Sequence, residues 1–188
     1  MDSDEHGGDE GIRSFLRDWS DLADLGLDLD AISAIGNSQD DWGVLVKGLT
    51  IGESCLNSLL DVVVPEGPIL ELLRGLGLER KARLACDLKI LRREERNALL
   101  AYASIRNFIV HDARFVRSFT WLGFFAEHPD YAQRASNAYD ELIASNGPEA
   151  IPVKDVSGRL IHVVMALALA VVSLRQAAAA PGSDLTGA

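Results

Sequence analysis

Apolar residues recur at steps of three and four along most of this chain, the period of an amphipathic helix. Trp42, Leu45, Val46, Leu49, Cys55, Leu56, Leu59, Leu60 and Val63 keep that step and predict one long helix over residues 39–64. Pro65 and the Gly67-Pro68 pair close it. Gly43, Gly48 and Gly52 each weaken that helix by up to about 1 kcal/mol relative to alanine. Glycines on a helix face also admit a neighbour at short range, so tight helix packing is expected there. The short apolar segment ILELLRGLGL follows. Its Gly75 and Gly77 look like half of a dinucleotide-binding fingerprint. No strand precedes them and the third glycine is absent, so they read as turn and cap glycines. A helix over 79–91 has Ala82, Leu84, Ala85, Leu88 and Leu91 as its apolar positions. Arg92 to Arg96 form a polar junction, and a further helix is expected over 94–110. Pro129 opens a helix that runs to about Ser145, where Gly147-Pro148 closes it. A last helix covers about Val153 to Ala178. Near the start, Ile12, Phe15, Leu16 and Trp19 have helical spacing, and alternating leucine and aspartate around Gly26 mark a break.

No alternating strand, hairpin turn or repeat interrupts this pattern. The expected fold is therefore all-α, an irregular helical bundle of about five to six helices with short links. Residues 1–11 are expected to be a disordered acidic tail, 12–178 a single bundle domain, and 179–188 a second disordered tail. The segment LIHVVMALALAVVSL, residues 160–174, is the most apolar run. It falls short of the ~20 apolar residues that a membrane span needs, and His162 lies inside it, so a buried bundle helix is expected and no membrane partner.

Composition sharpens the picture in three places. At 188 residues, with 48 % hydrophobic and 24 % charged, the chain has the makings of one sizeable core and is not a disordered or fibrous sequence. The two cysteines, Cys55 and Cys86, each lie in an apolar helical stretch and read as buried thiols of a reducing compartment. The start, MDSDEHGGDE, is no secretory leader, so a cytoplasmic location is expected. Charge is unevenly divided. Residues 1–41 hold 12 acidic and 2 basic side chains, which accounts for the whole net charge of −10. Residues 74–117 hold 11 basic and 5 acidic, or +6. The acidic total argues against a general nucleic-acid binder, while the basic middle leaves room for a small polyanion site.

Most familiar chemistries find no support. His6, His111, His128 and His162 are scattered, with no ligand spacing to a cysteine or carboxylate, so neither a metal nor another cofactor is expected. Gly52-Glu53-Ser54-Cys55-Leu56 lacks the second glycine of a serine-nucleophile elbow, and no Walker-type phosphate loop occurs. One hexapeptide stands out: Arg106-Asn107-Phe108-Ile109-Val110-His111, followed by Asp112. It ends a helix whose other residues are apolar. Structurally, Arg106 would pair with a carboxylate, Asn107 would cap, and His111 would be a favourable cation at a helix C-terminus. Chemically, arginine offers a fork to a phosphate and stabilises developing charge, and histidine moves protons near neutrality. Such a set can cleave RNA. On an unbroken helix, however, Arg106 and His111 lie about 140° apart with a rise of roughly 7.5 Å. Asn107 and His111, four apart, share a face. Either the helix bends at the motif or a second copy of the chain completes the site, which makes a homodimer the expected assembly.

An arginine, a polar residue, three further residues and a histidine at the end of a long bundle helix resembles the signature of the HEPN superfamily. A longer stretch is similar to its mannitol-repressor-like branch: Gly67-Pro68-Ile69, the helix ARLACDLKIL, the junction REER and the helix ending IRNFIVHD, over roughly residues 42–115. The resemblance implies a dimeric all-α bundle. In catalytic members it implies metal-independent endoribonuclease activity of a toxin or defence protein, held in check by an antitoxin or other regulatory partner. Carried onto this chain, Arg106 would contact the scissile phosphate, His111 would be the acid or base, and Asn107 would orient them. Many toxin members carry an aromatic residue two positions after the histidine, where this chain has Ala113. The His-Asp ending is more like the mannitol-repressor branch, which implies the alternative of a non-catalytic transcriptional regulator acting through protein partners.

Four further expectations concern the surroundings. Arg114 and Arg117, just past the motif, would hold flanking phosphates of an RNA substrate or else form a solvated face. Trp121, Phe124 and Phe125 read as core or dimer contact before base-stacking surface. His128, ahead of Pro129, opens a helix. The acidic leader, residues 1–41, is a solubilising tail or an RNA mimic folded over the basic middle.

Overall fold

The structure, a computed structural model, describes residues 34–180 apart from Gly36, Asn37, Ala113, Arg114, Val116, Arg117, Glu149 and Ile151. The expected acidic tail, the helix at 12–19, the break around Gly26, nearly all of the C-terminal tail, and Arg114 and Arg117 lie outside the described residues. Among the described residues the chain is all helix, with no strand. In chain order the helices are α1 (Asp41–Val63), α2 (Pro68–Arg74), α3 (Leu78–Asp87), α4 (Arg93–Val110), α5 (Trp121–Glu127), α6 (Pro129–Ser145) and α7 (Val156–Ala179). The all-α bundle is as expected. Among the described residues there are seven helices rather than five or six, because α2 and α5 are short helices that the apolar spacing alone did not separate from their surroundings.

Two long helices, α1 and α7, form the most extensive seam. The glycines predicted to allow close approach do so. A Cβ on Gly48 would sit 3.0 Å from Leu160, and one on Gly52 would sit 3.0 Å from Leu99 and 3.6 Å from Leu167. Contacts advance together along both helices, so α1 and α7 run side by side in the same direction. Their start is pinned through Trp121. Its backbone N–H donates to Asp41 Oδ2 at 2.9 Å and its indole N–H to Ser157 Oγ at 2.8 Å. Helix α7 is long and apolar enough to cross a membrane by length and composition, since it extends well beyond the 15-residue apolar run. Here it is a bundle helix. Leu160, Val163, Val164, Leu167, Ala168, Val171 and Val172 are buried in the core.

Helix α4 is the hub, packed on α1, α3, α6 and α7. Its start is not a junction between helices, as expected for Arg92 to Arg96, but its first turn. Glu95 accepts from the Arg92 backbone N–H at 3.0 Å and from the Arg92 guanidinium at 2.6 and 2.8 Å, satisfying a helix end that would otherwise leave bare amides. The preceding helix also ends earlier than the 79–91 expected. It stops at Asp87, and Lys89 takes a left-handed backbone (φ 58°). The amides of Ile90 and Leu91 both turn back to the Ala85 carbonyl. That reversal buries Leu91 while leaving Leu88 exposed, so the apolar spacing there was produced by a turn. Helix α5 begins where the Thr120 hydroxyl accepts from the Gly123 amide at 3.1 Å. Trp121 and Phe124 are buried in the core, which removes them as base-stacking surfaces, and Phe125 packs against both. Cys55 is buried and free, and burial pushes its thiol up to about 12. Cys86 is free and half-buried.

Candidate functional site

The end of α4 is held from inside by the third residue of the hexapeptide. The Phe108 ring packs against His128 at 4.6 Å, Tyr131 at 5.5 Å, Phe124 at 5.7 Å and Phe115 at 6.4 Å. His128 sits at the joint of α5 and α6, the helix-opening position expected of it. Its ring is walled by aromatics, and its buried Nε2 has no hydrogen-bond partner among the described residues. Ile105 and Ile109 fill the core beside this cluster. With its apolar residues committed inward, the helix has no freedom to turn its polar ones.

The helix is not broken at the motif. Helix α4 runs to Val110, and His111 continues in right-handed backbone (φ −96°, ψ −5°). Helical geometry therefore separates Arg106 from His111, and no hydrogen bond or ion pair joins Arg106, Asn107 and His111 among the described residues. The expected capping by Asn107 and carboxylate pairing of Arg106 are also not found there. Asn107 is exposed, and the half-buried Arg106 has its Nε buried with no partner. His111 is exposed and lies one turn beyond Asn107 on the stripe that begins with Leu100 and Ser104.

What the fold does bring together is a groove of about 550 Å³ between α4 and the turn ahead of α3. Leu100, Ala103, Ser104, Arg106 and Asn107 line one wall, and Gly75 to Arg80 the other. Gly75 and Gly77 act as the cap glycines expected: Gly75 closes α2, and Gly77 precedes α3 without a side-chain cap. The opening amides of α3 thus face this region, where a helix carries partial positive charge. Glu79 is engaged by Arg83 at 2.5 Å, whereas Arg80 has no ion pair among the described residues. Arg80 and Arg106 therefore place two cationic side chains on one groove without a described counter-charge. The sequence reading missed Arg80. Its signal was present in the basic middle segment, but only the α2–α3 turn sets it opposite Arg106. A second, smaller groove of about 380 Å³ flanks the other side of the stripe, between Asn97, Leu100 and Ser104 of α4 and Arg134 and Asn137 of α6.

No cluster of three or more histidine, cysteine, aspartate or glutamate side chains is placed to hold a metal ion among the described residues. The chain matches no family model, no curated protein and no solved structure. The functional reading therefore rests on the site itself.

Proposed function

We propose that the chain is a cytoplasmic, homodimeric HEPN-type endoribonuclease that cleaves RNA without a metal ion, in the manner of a toxin or defence protein. The observation that carries this reading is the unpartnered polar end of α4. Among the described residues Arg106 keeps a buried Nε unsatisfied on the groove that Arg80 also lines, and Asn107 and His111 stand exposed on one stripe, His111 at the C-cap of α4. A buried donor left without a partner costs roughly 1–3 kcal/mol, a cost that a bound phosphate would offset. In this mechanism Arg106 and Arg80 grip the scissile phosphate and Asn107 orients it. A histidine removes the proton of the ribose 2′-hydroxyl. The 2′-oxygen bonds to phosphorus, the bond to the 5′-oxygen breaks, and that oxygen takes a proton. The products are a 2′,3′-cyclic phosphate and a 5′-hydroxyl. Because Arg106 and His111 face different sides of one unbroken helix, the working histidine is His111 of the partner subunit, with the two α4 stripes crossing.

A second reading has its own support. Ile69 and Leu72 on the short helix α2 are 68 % and 70 % exposed, a pair of apolar side chains that suits a non-catalytic regulator acting through a protein partner. The two readings part in one experiment: a mixed RNA pool incubated in EDTA with the wild-type chain, with His111→Ala and with Arg106→Ala. Cleavage by the wild type alone, leaving cyclic-phosphate ends, supports the ribonuclease. Absence of cleavage by a folded dimer overturns it and leaves the regulator. A monomer at micromolar concentration by light scattering overturns the composite site.

A further inference from the structure

The groove of about 380 Å³ between α4 and α6 exists because two small residues line it. Ala101 and Ala138 are buried, and each side chain stops at Cβ, so the helices pack closely below and leave a hollow above. The polar groups on its two walls are oriented. The Arg96 guanidinium donates to Asn97 Oδ1 at 3.0 Å, and Gln133 Nε2 donates to Asn137 Oδ1 at 2.6 Å. With both carbonyl oxygens engaged, the two carboxamide NH2 groups are the ends left for a ligand. Glu141 adds an acceptor-only carboxylate on the same groove and has no ion pair among the described residues. Arg134 lines the groove too. Its guanidinium lies over the Tyr131 ring at 5.3 Å and reaches Asp130 only at 4.0 Å.

We propose that this groove is a base subsite for the RNA substrate and that it takes guanine, an inference that rests on the RNA-cleaving reading of Arg106 and His111. Single-stranded RNA is read on the exposed edges of splayed-out bases. Guanine alone carries a carbonyl acceptor, O6, next to two donors, N1–H and the N2 amine, on its pairing edge. The asparagine NH2 groups match O6 and N7, and the Glu141 carboxylate matches the two donors. Uracil offers that carboxylate a single N–H between two acceptors. Cytosine and adenine each offer it one amine beside acceptors. Arg134 supplies the cation for the phosphate of the same nucleotide. The position of the guanine follows from the helix. The groove shares Leu100 and Ser104 with the Arg106 groove, so one strand can pass over α4 from one into the other. Asn97 lies nine residues before Arg106, a rise of about 13.5 Å. At roughly 3.4 Å per stacked nucleotide, the guanine lies within about four nucleotides of the cut. The crossing of the two α4 stripes lies at Asn107 and His111, more than two turns from Asn97.

The experiment maps the cut ends in a random RNA pool digested by the full-length wild type, by Glu141→Gln and by Asn97→Ala/Asn137→Ala. The wild type should cut with guanine enriched about tenfold at one fixed position near the scissile bond, and both variants should reduce that preference to about threefold or less. The readout is a ratio between sites cut by one preparation, so a change in overall rate or in the folded fraction does not move it. A second arm uses only the wild type and one defined oligonucleotide. Inosine at that position, which lacks the N2 amine, should slow the cut about tenfold relative to guanosine. Cutting without a guanine preference, with another base preferred, or with a preference that survives in both variants overturns the subsite and leaves the ribonuclease reading standing. Inosine cut as fast as guanosine does the same. No cutting at all by the wild type overturns both.

Discussion

The two ends of helix α4 treat polar side chains in opposite ways. At its start, Glu95 is 3 % exposed, and its carboxylate is closed by the Arg92 amide and guanidinium. Arg96 is likewise engaged, donating to Asn97 Oδ1 at 3.0 Å and to Cys86 Sγ at 3.6 Å. At its end, Arg106 keeps a buried donor without a partner among the described residues, and Asn107 and His111 face solvent. A fold that satisfies its polar groups at one end of a helix has the means to do so at the other. The difference separates an end whose polar groups are used to make structure from an end where they are left without a described partner, which is the end the proposed ribonuclease reading uses.

The comparison can be broken in several ways. The largest expected effect is on chemistry. His111→Ala should lower RNA cleavage by about 100- to 10,000-fold while shifting unfolding free energy by less than about 0.5 kcal/mol. Initial rates on a labelled RNA and a urea melt check the two halves of that statement. Next is the start of the helix. Glu95→Ala strips the cap and strands Arg92, and should cost about 2 kcal/mol by urea denaturation. If it costs nothing, the closed end is not structural. Close to it in size, Gly52→Val drives a branched side chain into Leu99 and Leu167 and should cost about 2 kcal/mol in the same assay.

A smaller and more diagnostic effect is Arg106→Ala, which should leave stability within about 0.5 kcal/mol of wild type, because no described partner is lost. A cost as large as that of Glu95→Ala would make Arg106 a structural residue and erase the contrast between the ends. The smallest effect concerns pH. The Tyr139 hydroxyl accepts from the Val153 amide at 2.9 Å and shares a hydrogen bond with His162 Nδ1, also at 2.9 Å. Burial holds His162 below its ordinary value of 6.5. The unfolded chain then takes up the proton first as pH falls. The stability this residue contributes is present above about pH 6.5 and is lost on acidification below it. Thermal melts from pH 8 to 5 should show that loss, and His162→Gln should flatten it.

Much of the fold was legible in advance because helical period is a local property. The step of apolar residues from Trp42 to Val63 and the Pro129 start of α6 needed only near neighbours. Where the local pattern misled, a long-range force had intervened. Leu91 keeps helical spacing with Ala85 and Leu88, yet it is buried by a left-handed turn at Lys89. Trp121 and Phe124, read from the sequence as core or dimer contact, are both buried in the core.

The candidate site divides in the same way. The sequence by itself determined the all-α class, singled out Arg106, Asn107 and His111 as candidates, and gave the angular reason that the first and last cannot meet on one straight helix. Those follow from residue types and a fixed rise and turn per residue. Only the tertiary structure decided that α4 stays unbroken through the motif and that Arg106 is left without a partner among the described residues. It also set Arg80 beside Arg106 across the groove and left one side of α7 bare. Burial, pairing and the meeting of distant segments depend on which helices pack together. That packing is a sum over the whole core, which no local window contains.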